Sequence, residues 1–125
     1  MSDEPVEDGK AIIMVNHADA ESVNAAFVMA AAAAATGEMV FMFFQPGGAK
    51  VLVKGELEKM QGQEGLPDPV YLFDSILTLD GRIILCELGL PNKGIKKEDL
   101  REGVEVMMAS TFLFEAEGSH LSFSY

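Results

Sequence analysis

The stretch MVFMFF, residues 39–44, decides the fold of this chain. It holds six consecutive apolar residues between Gly37 and the turn-forming sequence PGG at 46–48. A short apolar run bounded in this way predicts a strand that is buried on both faces. Two similar runs, AIIMVN at 11–16 and RIILC at 82–86, predict two more such strands. Strands without polar alternation are typical of parallel sheets with both faces covered.

The segments between these strands carry helix signals. Asp19 suits the N-cap of a helix that runs to about Thr36, and Gly37 suits its end. Asp68 and Pro69 predict the start of a second helix, over 69–79. One face of the first helix is apolar and rich in alanine: Val23, Phe27, Ala30, Ala31 and Ala34. Alternating strands and helices predict one α/β domain, a mainly parallel sheet with helices on both faces.

The remaining segments complete a five-stranded sheet. VEVM at 104–107 predicts a fourth strand, and Ser110 is expected to cap a helix over 111–117. HLSFSY at 120–125 alternates apolar and polar residues, which predicts an exposed or edge strand. Shorter helical or loop segments are expected at 49–60 and 87–101. Residues 1–10 are acidic and polar and predict a flexible tail before a domain at 11–125.

Composition excludes several classes of function. The 125 residues carry a formal net charge of -11, which argues against nucleic acid or an anionic membrane as a partner. The longest apolar run, FVMAAAAAA at 27–35, is too short to span a membrane. The acidic first ten residues do not resemble a signal peptide. One cysteine allows no internal disulfide, so a reducing cytoplasm is the predicted location.

Ligands of parallel α/β sheets bind at the carboxyl ends of the strands, and three segments lie there. They are Asn16-His17, the QPGG sequence at 45–48, and Cys86-Glu87. Residues 82–105 hold five basic and five acidic residues, so the whole net charge of -11 falls outside this segment. An anionic sulfur compound meets less repulsion there. Cys86 is therefore a candidate nucleophile, and backbone N–H groups of a following helix would stabilise its thiolate.

Each of these candidates has a structural alternative. A lone cysteine that ends an apolar strand is most often a small core residue. A histidine such as His17 in a strand-to-helix loop is usually exposed and without a role. QPGGAK at 45–50 lacks both phosphate-binding glycine patterns, which favours an ordinary turn. The sequence shows no metal-ligand spacing, so neither a metal nor a cofactor is predicted.

Three stretches of the chain resemble the DsrE/DsrF-like family of small sulfur-relay proteins, which have the YchN-like fold. They are AAAATGEMVFMFFQPGGAKVLVKG at 32–55, GRIILC at 81–86, and GIKKEDLREGVEVMMASTFLFEA at 94–116. The resemblance covers roughly residues 11–125. It implies a five-stranded flavodoxin-like variant of the α/β sheet and a homo-oligomer, either a trimer or a hexamer.

The resemblance also implies a function. Cys86 matches the family's sulfur-carrying cysteine, which accepts sulfane sulfur as a persulfide or thiosulfonate and passes it to a partner thiol. The implied partners are sulfur carriers or sulfurtransferase proteins and small sulfur compounds such as thiosulfate. His17, Glu87 and Lys93 are the candidate supporting residues.

The chain also departs from the family pattern. No second cysteine accompanies Cys86, and Gly89 and Pro91 are expected to interrupt the helix that usually follows it. A non-catalytic oligomeric subunit with Cys86 in its core therefore stays open as an alternative. A small-ligand or nucleotide-binding domain that uses the Gly47-Gly48 loop is the third hypothesis.

Overall fold

The computed structural model describes residues 9–125, which form a single α/β domain. Its elements in chain order are β1 (Lys10–Val15), α1 (Ala20–Ala35), β2 (Met39–Phe44), α2 (Pro69–Thr78), β3 (Arg82–Cys86), α3 (Gly89–Lys93), β4 (Val104–Met107), α4 (Ala109–Glu115) and β5 (Ser119–Ser124). Short 3-10 segments lie at Pro46–Leu52, Leu57–Met60 and Lys97–Asp99.

The five strands form one sheet in the order β4-β3-β2-β1-β5, and every neighbouring pair is parallel. The predicted fold class is therefore confirmed, and β2, β3 and β4 have the predicted bounds. Residues 1–8 of the predicted acidic tail lie outside the described residues. Lys10, the last residue of that predicted tail, already belongs to β1.

Two of the three predicted helix caps are found. Asp19 accepts a hydrogen bond from Ser22 N at 3.0 Å, and Asp68 accepts one from Val70 N at 2.9 Å. These bonds satisfy N–H groups that have no partner within the helix. The predicted cap at Ser110 is wrong. Met108 occupies the N-cap position of α4, so Ser110 lies inside the helix.

One face of the sheet, here called the α1 face, holds the larger core. The inward side chains of β1 and β2 on this face, such as Ile13, Met42 and Phe44, are fully buried beneath α1 and α2. The Phe27 ring of α1 lies 6.0 Å from that of Phe44 and 6.2 Å from that of Phe73. Aromatic rings at these distances add to the stability that burial of their area provides.

The opposite face, here called the α4 face, has a smaller core under one short helix. Ile12, Phe41, Phe43, Ile84 and Cys86 point to this face and form a buried cluster with Phe112 and Ala116. Strand order and the right-handed rule for parallel crossovers explain why α4 lies here, because the β4-to-β5 connection runs in the direction opposite to the earlier ones. The chain leaves the β4 edge and must cross the sheet to reach β5 at the other edge, about 19 Å away at ordinary strand spacing.

Candidate functional site

The carboxyl ends of the strands lie along one rim, as parallel pairing requires. Val15 pairs with Phe44, Phe44 with Leu85, and Cys86 with Met107. When this register continues by one residue, Asn16, Gln45, Cys86 and Met107 fall in one row across the sheet. The three segments predicted to lie at the carboxyl ends of strands therefore share a rim.

Cys86 ends β3 with its side chain on the α4 face. Its residue is only 4% exposed, within the apolar cluster that includes Phe112. The ladder continues past it, because Glu87 N–H donates to the carbonyl of Met107 at 3.0 Å. Among residues 9–125, no hydrogen bond reaches the Cys86 thiol. The thiol thus belongs to an apolar cluster and is nearly closed to solvent.

Helix α4 supplies the outer cover of this cluster. The Phe112 ring stacks on the Phe43 ring, with centroids 4.2 Å apart and planes 11° from parallel. Phe112 is 2% exposed, whereas Leu113 and Phe114 beside it are 68% and 79% exposed. One helical side chain therefore anchors the cover, and its neighbours face outward.

An ion network joins α4 to the sheet on the same face. The Arg82 guanidinium donates to both Glu105 oxygens, at 2.9 and 2.6 Å, and to Glu115 Oε2 at 3.3 Å. Lys10 Nζ donates to the carbonyls of Glu115 and Glu117, each at 3.0 Å. Both cations also lie over the Phe41 ring, at 5.5 Å for Arg82 and 5.8 Å for Lys10.

The protonation equilibria of this network follow from its hydrogen bonds. Donation by Arg82 lowers the pKa of Glu105, and the same bonds raise the pKa of Arg82. Each ionised form is favoured because its partner carries the opposite charge. Both residues are therefore charged at neutral pH, and the network is an ion pair.

The three candidate supporting residues are all exposed. His17 follows β1, which is two strands from β3 and hence about 10 Å from it. Glu87 is the next residue after Cys86, and Lys93 ends α3. Within the described chain no hydrogen bond links any of the three to the thiol. His17 and Glu87 follow strands that end at this rim, and Lys93 lies seven residues after Cys86 at the end of α3.

The Gly47-Gly48 loop uses its N–H groups internally. Gly47 N donates to Asn16 Oδ1 at 3.0 Å, and Gly48 N donates to the carbonyl of Gln45 at 2.9 Å. A Cβ at Gly47 would overlap the Asn16 carbonyl, and one at Gly48 would lie 2.9 Å from the Val15 carbonyl. The glycines thus permit close backbone packing, which favours the structural interpretation over a phosphate-binding loop.

A short helix does follow Cys86, and it contains the two residues expected to interrupt it. Pro91 is the third residue of α3, where the missing N–H has no helical partner in any case. Gly89 allows close packing, since a Cβ there would lie 3.0 Å from Leu85 Cδ1 and 3.1 Å from Ala49 Cβ. The helix has five residues and ends at Gly94 in the left-handed conformation.

Outside the Cys86 rim, the described residues form a cavity but no group of metal ligands. A cavity of about 570 Å³ lies near the amino end of β4, lined by Lys54, Gly55, Glu58, Phe73, Asp74, Leu77, Arg101, Glu102 and Gly103. Cys86 is at the other end of the sheet and does not line it. In the described residues, three or more His, Cys, Asp or Glu side chains nowhere group as metal ligands would. Over the same residues, no helix has the length and apolar character needed to cross a membrane.

Sequence reasoning missed the residues that cover Cys86 and hold the cover. Strand alternation does place Arg82, Ile84 and Cys86 on one face, and Glu105 with Met107 on the same face of β4. The missing information was the strand order, which decides that α4 and Glu115 pass over this face.

The comparisons with known proteins agree on family and fold. A protein-family model described as the DsrE/DsrF-like family matches residues 9–114. An uncharacterised protein of Methanocaldococcus jannaschii, MJ0760, is 33% identical over 95 residues, which are 76% of this chain. Those residues are 34% of MJ0760, so the chain spans about a third of that relative's length.

Two solved structures share the fold at low sequence identity. The ychN protein from E. coli superposes with a TM-score of 0.73 at 15% identity, over 93% of this chain and 99% of its own. MTH1491 from Methanobacterium thermoautotrophicum, a protein of unknown function, gives a TM-score of 0.73 at 15% identity, over 94% of this chain and 100% of its own. At this identity the likeness concerns the fold alone.

Proposed function

Because the chain belongs to the DsrE/DsrF-like family, we propose that it is a sulfur carrier or sulfurtransferase in which Cys86 accepts sulfane sulfur. The observation that carries the proposal is the place of its only cysteine. Cys86 ends β3, an inner strand of the parallel sheet, at the rim where α/β sheets of this kind bind their ligands. The proposed setting is the reducing cytoplasm, where a free thiol persists.

The reaction consists of two thiol exchanges. The Cys86 thiolate attacks the outer sulfur of a donor persulfide, forms a new S–S bond and releases the donor thiolate. The thiolate of a partner protein then attacks the outer sulfur of the Cys86 persulfide, and Cys86 leaves as a thiolate. With thiosulfate as donor, sulfite is the leaving group of the first step. Neither step is a net oxidation or reduction, so the reaction requires no redox cofactor.

The surroundings of Cys86 suit storage more than rapid exchange. A persulfide on a residue that is 4% exposed, in the cluster that contains Phe43 and Phe112, is shielded from thiols in solution. With no second cysteine in the chain, the protein cannot discharge the sulfur through an internal disulfide. The proposal therefore assigns discharge to a partner thiol. His17, Glu87 and Lys93 are proposed to contact the donor or the partner.

A second function, a non-catalytic interaction subunit, is favoured by a specific observation. Cys86 is 4% exposed among apolar side chains, as a structural cysteine would be. In this alternative the chain serves as one subunit of an oligomer and Cys86 only fills space. The two functions differ in whether the folded protein takes up sulfur at Cys86.

Sulfur loading tests the proposal. Native protein is incubated with thiosulfate, tetrathionate or an organic persulfide, and its intact mass is recorded before and after reduction. The sulfur-carrier function predicts a reducible adduct on the wild type and none on Cys86→Ser. An adduct that forms only after unfolding in denaturant would instead support the structural subunit.

A further inference from the structure

The Cys86 thiol is nearly closed to reagents in the folded molecule. Disulfide exchange requires one sulfur to approach another, and a 4% exposed residue offers little room for that approach. Cys86 belongs to an apolar cluster whose side chains come from two sources. Met14, Phe43, Ile84 and Met107 of this cluster belong to the sheet, whereas Phe112 and Ala116 belong to α4 and its C-cap. Only α4 is able to move without breaking the sheet.

Helix α4 is weakly fixed by its own structure. It has seven residues, which is too few for a helix that is stable alone in water. Its N-cap, Met108, provides no side-chain hydrogen bond. Phe112 is its one buried side chain, and Gly118, with φ of 86°, follows the helix in open surroundings. Segments with so few buried side chains open locally at a low cost in free energy.

The ion network divides into a permanent part and a breakable part. Arg82 and Glu105 lie on adjacent strands and form the two shorter bonds, so this pair remains when α4 moves. Arg82 and Glu115 form one longer bond of 3.3 Å between sheet and helix. Loss of Glu115 therefore leaves no unpaired guanidinium, which keeps the open state accessible.

We propose that α4 is a movable cover over Cys86, held shut by the Arg82–Glu115 ion pair and by the Phe112–Phe43 stack. The inference rests on the proposed function, because a covered thiol needs a way to meet its donor and acceptor. Arg82 is a positioning residue in this account: it acts on Cys86 through α4. Lys10 adds a second tie through the carbonyls of Glu115 and Glu117.

The modification rate of Cys86 in the folded protein tests the cover. Excess 4,4′-dithiodipyridine, a neutral disulfide, is added at several urea concentrations below the unfolding transition. Since the chain has one cysteine, the signal reports Cys86 alone. A local cover predicts a rate that depends weakly on urea and exceeds the rate set by global unfolding.

Two matched variants identify the ion pair that holds the cover. Glu105 and Glu115 both bind Arg82, and both side chains are 41% exposed. Glu115→Gln is expected to raise the modification rate about two- to fivefold, the range for a partly exposed ion pair. Glu105→Gln removes a partner that lies on the sheet, so it should leave the rate within about twofold.

Two outcomes would contradict the proposal that α4 is a movable cover. One is a wild-type rate with the full urea dependence of global unfolding. The other is an equal acceleration by Glu105→Gln and Glu115→Gln. Failure of the proposed function looks different. If Glu115→Gln speeds modification but no donor loads sulfur, then the cover exists and sulfur transfer is wrong. If sulfur loads equally fast on wild type and Glu115→Gln, then only the cover is wrong.

Discussion

Cys86 shows at the scale of one residue why sequence alone leaves two functions open. RIILC predicts both a buried strand and a thiol at the carboxyl end of that strand, and both are found. Burial of the thiol depends on Phe112 and Met107, which lie 26 and 21 residues further along the chain. Local sequence cannot report such contacts, because they depend on the strand order and on the path of α4.

Gly47 offers a test of the rim's backbone packing. Gly47→Ala should destabilise the protein by about 1–3 kcal/mol, because its Cβ would overlap the Asn16 carbonyl and force a backbone shift. Urea unfolding measures the change. Lys50→Ala, at an exposed position in the same 3-10 segment, should change stability by less than about 0.5 kcal/mol. Equal stability of Gly47→Ala and wild type would contradict the observed packing.

Glu105 predicts a pH dependence of stability. Arg82 lowers the pKa of Glu105 in the folded state, so the pair stabilises folding above the ordinary value of 4.5 and ceases to do so as pH falls through the lowered pKa. At pH 7 the free energy of unfolding of the wild type should exceed that of Glu105→Gln by about 0.5 kcal/mol. The difference is small because the ion pair is partly exposed. Urea unfolding at pH 7, 5, 4 and 3 measures this difference. A difference that stays constant down to pH 3 would rule out the linkage.

The elements show which parts of the fold local patterns determine. The apolar runs predicted β2 and β3, and the Asp19 and Asp68 caps predicted the starts of α1 and α2. Those signals lie within a few residues of the element that they define. The predicted start of α4 is two residues too late. Ser110 is a good N-cap residue by type, but Met108 occupies the N-cap position. Packing of Phe112 on Phe43 fixes the register of α4, and this contact is invisible in the local sequence.

Two phenylalanines of α4 test its attachment to the sheet. Phe112→Ala should destabilise the protein by about 2–4 kcal/mol, because it removes a buried ring and its stack with Phe43. Phe114→Ala changes a ring that is 79% exposed, so its effect should stay within about 0.5 kcal/mol. Thermal unfolding of both variants gives the comparison. Similar losses of stability in the two variants would show that α4 does not pack on the sheet through Phe112.

Several large apolar side chains are exposed to water in the described part of the chain. Tyr71, Leu88, Leu113 and Phe114 are each more than half exposed, although the chain carries a net charge of -11. Leu113 and Phe114 are neighbours on α4, and neighbouring apolar side chains of this kind suit a contact between subunits. The resemblance to the DsrE/DsrF-like family implies a trimer or hexamer, so we expect a native mass of three or six times 13.5 kDa by light scattering. The mass of a single chain across the micromolar range would contradict this expectation.

The central claim is that the folded protein carries sulfur on Cys86 and gives it away, and one measurement tests both halves. Wild-type protein loaded by a persulfide donor is freed of excess donor, mixed with a thiol acceptor and followed by intact mass. The account predicts that one sulfur per chain leaves Cys86 and appears on the acceptor while the protein stays folded. An adduct that remains on the protein until it is unfolded would contradict the account and leave Cys86 as a core residue.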